Sequence, residues 1–213
     1  MKFEAKQLLL YAVTDRRWTG EKTLYQQVEE ALVGGVTFVQ LREKELDQEH
    51  FVQEARQLKE LCHKYNVPFI INDNVEIALE VGADGVHVGL EDRPVSEIRA
   101  LAGPDFIIGA TTKTVEQAQE AQRQGADYLG IGAVFPSSTK TNALRITNEQ
   151  LRIIRSSVNI PAVAIGGLTL ENMDEVAGSG VDGVALVSAI FGAQDICEAS
   201  RELKKKALEV TQK

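Results

Sequence analysis

Arg42, Lys44 and Lys140 are the residues that first suggest chemistry, each lying just beyond an apolar run. Alternation puts Val36, Phe38, Gln40, Arg42 and, if the extension persists, Lys44 on one face of an extended segment. That face begins apolar and ends in an amide and two cations. Ser137, Ser138 and Thr139 set three hydroxyls directly before Lys140. Brought to one place, these groups would cradle a polyanion such as a diphosphate, with arginine gripping oxygens bidentately and lysine acting as a point charge. Each ion pair at about 4 Å is worth roughly 4 kcal/mol at an effective dielectric near 20, before desolvation.

Asp73 and Asp92 supply the opposite charge. Two carboxylates at neighbouring strand ends repel unless a cation lies between them, and magnesium suits one or two carboxylates plus phosphate oxygens and waters. Glu91 is a candidate third ligand. Asp73 has a second available role, because Asn72-Asp73-Asn74 precedes a helical run and aspartate there can cap it. Gly166-Gly167 and Val187-Ser188 offer a different kind of site, in which small residues let backbone N–H groups approach a phosphate. His87 sits inside an apolar phrase and reads as a barrel-lining residue rather than a base.

The elements that must carry these residues alternate. Residues 8–13 form a short apolar strand; Thr23 caps a helix to about Val33, with Leu24, Val28, Ala31 and Leu32 on its inner stripe and Gly34-Gly35 stopping it. The Val36 strand comes next, then a helix from Asp47 to about Tyr65 with Phe51, Ala55, Leu58, Leu61 and Cys62 at helical spacing. Asn66-Val67-Pro68 breaks that helix, and Phe69-Ile70-Ile71 is the third strand, before a helix over 75–81. A phrase then recurs: Gly82-Ala-Asp-Gly-Val-His-Val-Gly89, Gly125-Ala-Asp-Tyr-Leu-Gly-Ile-Gly132 and Gly180-Val-Asp-Gly-Val-Ala-Leu-Val187, with Gly35-Val-Thr-Phe-Val-Gln-Leu as a degenerate fourth copy. The first glycine of each copy suits the left-handed end of a helix, and the remaining residues suit a strand buried on both faces. Between the copies lie a helix over 96–102 with a strand over 106–111, and a helix over 148–157 with a strand over 161–165. Helices over 114–124 and 170–177 precede the second and third copies, and 195–210 forms the last helix.

Eight strands alternating with helices imply parallel pairing through right-handed crossovers, closed as one (β/α)8 barrel domain over residues 1–213. An open doubly wound sheet is the competing arrangement. In a barrel, the loops after the strands share one rim, and that is where the cations, the acids and the glycine pair all fall. Loops before the strands carry mostly glycine and helix-end residues.

Composition narrows the partners. The 213-residue chain is 44% hydrophobic and 25% charged, with a net charge of −8. Such acidity argues against sequence-independent nucleic-acid binding, so an anion would need locally concentrated positive charge. Cys62 and Cys197 have no metal-ligand spacing and no framework of partners, which fits a reducing cytoplasm. The run Leu8-Leu9-Leu10-Tyr11 ends too soon to serve as a signal peptide or membrane span.

Gln40-Leu-Arg-Glu-Lys44, Ile71-Asn-Asp73, His87-Val-Gly-Leu-Glu-Asp92, Phe135-Pro-Ser-Ser-Thr-Lys140, Ala164-Ile-Gly-Gly167 and Val187-Ser-Ala189 together resemble the thiamine phosphate synthases, in order and in spacing. The likeness runs from Tyr11-Ala-Val-Thr-Asp15 to the last helix. It implies a homodimeric (β/α)8 barrel that uses magnesium to join hydroxymethylpyrimidine diphosphate to thiazole phosphate with release of diphosphate. Carried over, it implies that Gln40 meets the pyrimidine, and that Arg42, Lys44, Asn72 and Lys140 meet the diphosphate. Asp73 and Asp92 would hold Mg2+, and Thr111 would bring a hydroxyl beside the reacting groups. Ser137 and Thr139, with the backbone of Gly167, Val187 and Ser188, would hold the thiazole phosphate. The chain departs from the usual pattern at Leu90 (commonly Gln), Thr111 (Ser), Lys113 (His) and Ser137 (Thr). Thr111 and Ser137 keep their hydroxyls, whereas Leu90 and Lys113 change the pocket and rim.

The expected reaction is a dissociative substitution in which the leaving group is neutralised by Arg42, Lys44, Lys140 and the metal, with no general base. A thiazole tautomerase-like isomerase on the same barrel would need an acid–base pair and no magnesium, and a noncatalytic phosphate-ligand sensor would bind without turnover.

Overall fold

Most of the helices begin on a side chain that replaces a missing backbone partner. In the computed structural model, which describes residues 3–136 and 145–212, Thr23, Asp47, Asn74, Thr114, Thr147 and Asp195 each accept a backbone N–H from the first turn of the adjoining helix. They open α1 (Leu24–Val33), α2 (Gln48–Lys64), α3 (Val75–Val81), α5 (Val115–Gln124), α6 (Asn148–Ser156) and α8 (Ile196–Thr211). Pro94 precedes α4 (Val95–Ala102), and α7 (Ser188–Phe191) is a single turn. The strands are β1 (Leu10–Val13), β2 (Phe38–Leu41), β3 (Phe69–Asn72), β4 (Gly85–Val88), β5 (Ile107–Thr112), β6 (Tyr128–Gly132), β7 (Ala162–Ile165) and β8 (Gly183–Leu186). All pair in parallel, and β1 closes on β8 through Leu10 opposite Val184.

The recurring phrase has a structural meaning. Gly35, Gly82, Gly125 and Gly180 all adopt positive φ, between 63° and 100°, as the helix-ending role requires. Two residues later each copy carries an oxygen that accepts an N–H from the start of the preceding strand: Thr37 from Leu10, Asp84 from Phe69, Asp127 from Ile108 and Asp182 from Ala162. His63, Arg99 and Arg155 pair with the three aspartates. The barrel is therefore stitched at its N-terminal end in four two-strand units.

Inside the barrel a small core packs Leu8, Tyr11, Val13, Phe38, Ile70, Ile107, Tyr128, Val163 and Ala185, while a larger layer fills the space between strands and helices. Phe38 makes an edge contact with Tyr11 at a centroid distance of 4.8 Å, and Phe3 closes the bottom against Phe38 and Tyr128. Phe38 and Gln40 share the inner face as their alternation predicts; Val36, lying ahead of the strand, packs in the outer layer instead.

Two expectations need correcting. Residues 170–177 form no α-helix, only the 3-10 turn Met173–Val176. The Asn172 amide bonds the N–H of Thr169 and the carbonyl of Gly167, and Gly178 and Gly180 end the segment at positive φ, so little chain is left to propagate a helix. Beyond β8 the extra turn α7 precedes the long last helix. Among the described residues, no helix is long and apolar enough to cross a membrane.

Candidate active site

The strands deliver their C-terminal residues to one cavity of about 420 Å³. Gln40 and Arg42 enter it from the end of β2, Asn72 and Asp73 from β3, Asp92 from beyond β4 and Thr111 from β5. Gly166-Gly167 and Val187-Ser188 form the opposite wall. Lys44 stands beside this lining, its Nζ 2.6 Å from Asp73 Oδ2. The expected constellation thus converges, except that Ser137, Thr139 and Lys140 lie outside the described residues.

Arg42 is held from behind. Its backbone N–H donates to Thr14 Oγ1 at 3.0 Å, and its guanidinium lies 3.8 Å from Asp15. The Asp15 carboxylate is buried, accepts the Arg17 N–H, and pairs with the Arg17 guanidinium at 2.7 Å. Hydrogen bonding from Arg17, against the opposing effect of burial, holds its pKa below the usual carboxylate range. Arg42 Nε is buried and has no hydrogen-bond partner among the described residues. The Arg42 side chain also lines the cavity, where the accessible part of its guanidinium suits an anion that arrives with the ligand.

The loop carrying Lys44 is folded around Glu43. Its Oε1 accepts the N–H groups of Lys44, Glu45 and Leu46, while Oε2 binds Arg16 at 2.6 Å. Burial works against the charge, but the Glu45 N–H, the Arg16 guanidinium and the Leu46 N–H outweigh it and keep the Glu43 pKa low. Asp15 and Glu43, with Arg16 and Arg17, are supporting residues the sequence reading missed. The available signal was Glu43 itself, an acid set out of phase between two cations that alternation places on one face.

Asp73 and Asp92 do meet. Burial, chiefly, and the neighbouring Asp73 carboxylate raise the Asp92 pKa, against the Gly89 N–H that donates to Asp92 Oδ2 at 2.7 Å. The choice between capping and ligation at Asp73 has a structural answer in its neighbour: Asn74 caps α3 by accepting the Ile77 N–H at 2.9 Å. Asp73 adopts a left-handed φ of 63° and is released from that duty. Among the described residues, no group of three or more His, Cys, Asp or Glu side chains suited to a metal occurs. Two converging carboxylates beside an anion-seeking arginine form an oxygen-only donor set; that fits Mg2+ completed by phosphate oxygens and water, and not a zinc cage.

The second wall is shaped by absence of side chains. Gly166 and Gly167 have φ of 102° and 63°, and a Cβ at Gly167 would collide with the Pro136 carbonyl. Leu90 and Lys113, where the chain departs from the usual family pattern, both line the cavity, and Leu90 is 53% exposed at its edge. His87 is buried in the barrel lining, as its sequence context suggests, and also reaches the cavity.

Comparison with known proteins agrees with this geometry. Residues 10–190 match the family model described as thiamine monophosphate synthase. The chain is 47% identical to the thiamine-phosphate synthase of Clostridium acetobutylicum over 90% of its own length and 91% of that protein's. With the corresponding protein of Alkaliphilus oremlandii it shares 48% identity, over 92% and 93% of the two chains. The structure of a thiamine phosphate pyrophosphorylase from Pyrococcus furiosus superposes with a TM-score of 0.90 at 43% identity, covering 97% of this chain and 98% of that one.

Proposed function

The chain belongs to the thiamine monophosphate synthase family, and from that premise we infer how its rim carries out the transfer that makes thiamine phosphate. The substrates are 4-amino-2-methyl-5-hydroxymethylpyrimidine diphosphate and 4-methyl-5-(2-hydroxyethyl)thiazole phosphate. Gln40 holds the pyrimidine, offering an amide edge to the ring nitrogen and amine. Arg42, Lys44, Asn72 and Lys140 take the diphosphate. Gly167, Val187 and Ser188, with Ser137 and Thr139, hold the phosphate of the thiazole, and Thr111 brings its hydroxyl to the reacting centre between them.

The C–O bond to diphosphate breaks first, and its electron pair leaves with the diphosphate. The electron-rich pyrimidine stabilises the methylene cation that remains, and the thiazole nitrogen then forms the C–N bond. No proton must be removed, so the residues act by position and charge rather than as a base. Mg2+, held by Asp73 and Asp92, would supply further positive charge to the leaving group. Arg42 and Lys44 would meet the diphosphate from the β2 side, where Lys44 is held by its ion pair with Asp73.

The observation that best supports this reading is the Arg42 guanidinium on a cavity shared with the Asp73–Asp92 pair. Cys62 and Cys197 are unpaired, which suits the cytoplasmic location we propose, and we propose a homodimer as the working assembly. Purified protein given both substrates and Mg2+ is expected to release diphosphate in step with thiamine phosphate. Isomerisation without diphosphate, or binding without turnover, would overturn the assignment.

A further inference from the structure

A continuous file of side-chain hydrogen bonds crosses the barrel and joins two residues of the cavity. Gln40 Nε2 bonds the Tyr11 hydroxyl. That hydroxyl lies 2.9 Å from the hydroxyl of Tyr128, which lies 3.0 Å from His87 Nδ1, and His87 Nε2 lies 2.9 Å from Thr111 Oγ1. Tyr11 and Tyr128 are buried, and Gln40 and His87 nearly so. The barrel makes room for the file at Gly109, which is in register with His87 on one side and Tyr128 on the other. A Cβ there would lie 2.5 Å from His87 Nδ1 and collide with the Tyr128 ring.

The file has a direction. Burial raises the pKa of both phenols, so each keeps its single proton. An amide nitrogen can only donate, so the Tyr11 oxygen accepts from Gln40 and its own O–H donates to the Tyr128 oxygen. Tyr128 in turn donates to His87 Nδ1. A ring nitrogen that accepts carries no proton, which leaves the proton on Nε2 to donate to Thr111 Oγ1. The Thr111 proton is thereby left for the cavity, together with the Gln40 carbonyl oxygen and its second N–H.

We infer that Tyr11, Tyr128 and His87 are positioning residues that fix the donor and acceptor pattern Gln40 and Thr111 present to the bound pyrimidine substrate. The identity of that substrate rests on the proposed function; the direction of the file does not. If the Gln40 amide were turned over, every proton would reverse, His87 would carry its proton on Nδ1, and Thr111 would face the ligand as an acceptor.

Nitrogen NMR of the full chain labelled at histidine, with His87 assigned by its loss in His87→Gln, reads the direction without substrate. Protonated Nε2 and bare Nδ1 are expected, and a proton on Nδ1 overturns the inference. In turnover assays, Tyr11→Phe and Tyr128→Phe are each expected to raise KM for the pyrimidine diphosphate about tenfold and leave KM for the thiazole phosphate unchanged. The double variant should be no worse than either single one, because one break already interrupts the file. Losses that multiply, or that fall equally on both KM values, would overturn it. Should the wild-type protein release no diphosphate, the proposed function fails, while the NMR result still decides this inference.

Discussion

Arg42 and Lys44 are placed by acids that do not themselves line the cavity. Asp15 steadies the Arg42 guanidinium, and Glu43 gathers three successive N–H groups and Arg16, so the two cations arrive on a loop already folded. The Glu43 side chain is 1% exposed, which makes its charge worth keeping only while all those donors are in place. Glu43→Gln keeps the shape and removes the charge; it should cost about 1–3 kcal/mol near neutral pH. Because the folded state holds the Glu43 pKa low, its contribution is present above the unfolded value, about 4.3, and is lost as pH falls through the folded one. Denaturant titrations of both proteins should therefore show the gap closing with acidification from about pH 4 downward. A gap independent of pH would show that the carboxylate is not the source.

At the scale of the element, the repeated phrase divides labour along each strand. Its early residues serve stability at the N-terminal end, where Asp127 accepts the Ile108 N–H at 2.7 Å and pairs with Arg99 at 2.6 Å. Arg99 also donates to the carbonyls of Gly103, Phe106 and Gly125, so one aspartate anchors a guanidinium that ties α4, the loop into β5 and the loop into β6 together. Asp127→Ala should lower stability by about 1–3 kcal/mol, measured by chemical unfolding, with substrate KM values unchanged. A large KM effect with unchanged stability would contradict this division. The strands, most helices and the glycine turns were legible in the sequence because burial pattern, caps and positive-φ glycines act locally. The turn at Met173–Val176 was not, since a short apolar periodicity there looks helical while the Asn172 amide and two nearby glycines settle the conformation.

For the whole molecule, closure of eight parallel strands is what brings Gln40, Arg42, Asp73, Asp92, Thr111 and Gly167 onto one rim from positions spread over most of the chain. Their chemical types and their place after strands could be read from sequence. The buried file from Gln40 to Thr111 could not, because Tyr11 and Tyr128 look like ordinary core aromatics until the barrel sets them 2.9 Å apart. Nor could the exchange of roles between Asp73 and Asn74, which depends on one left-handed residue. The rim account is tested most directly by a crystal structure of the protein with diphosphate and Mg2+. It should show a diphosphate oxygen accepting from the Arg42 guanidinium, the metal bound by both Asp73 and Asp92, and Lys140 reaching the same anion. Diphosphate seated away from Arg42, or a metal that ignores either aspartate, would contradict it.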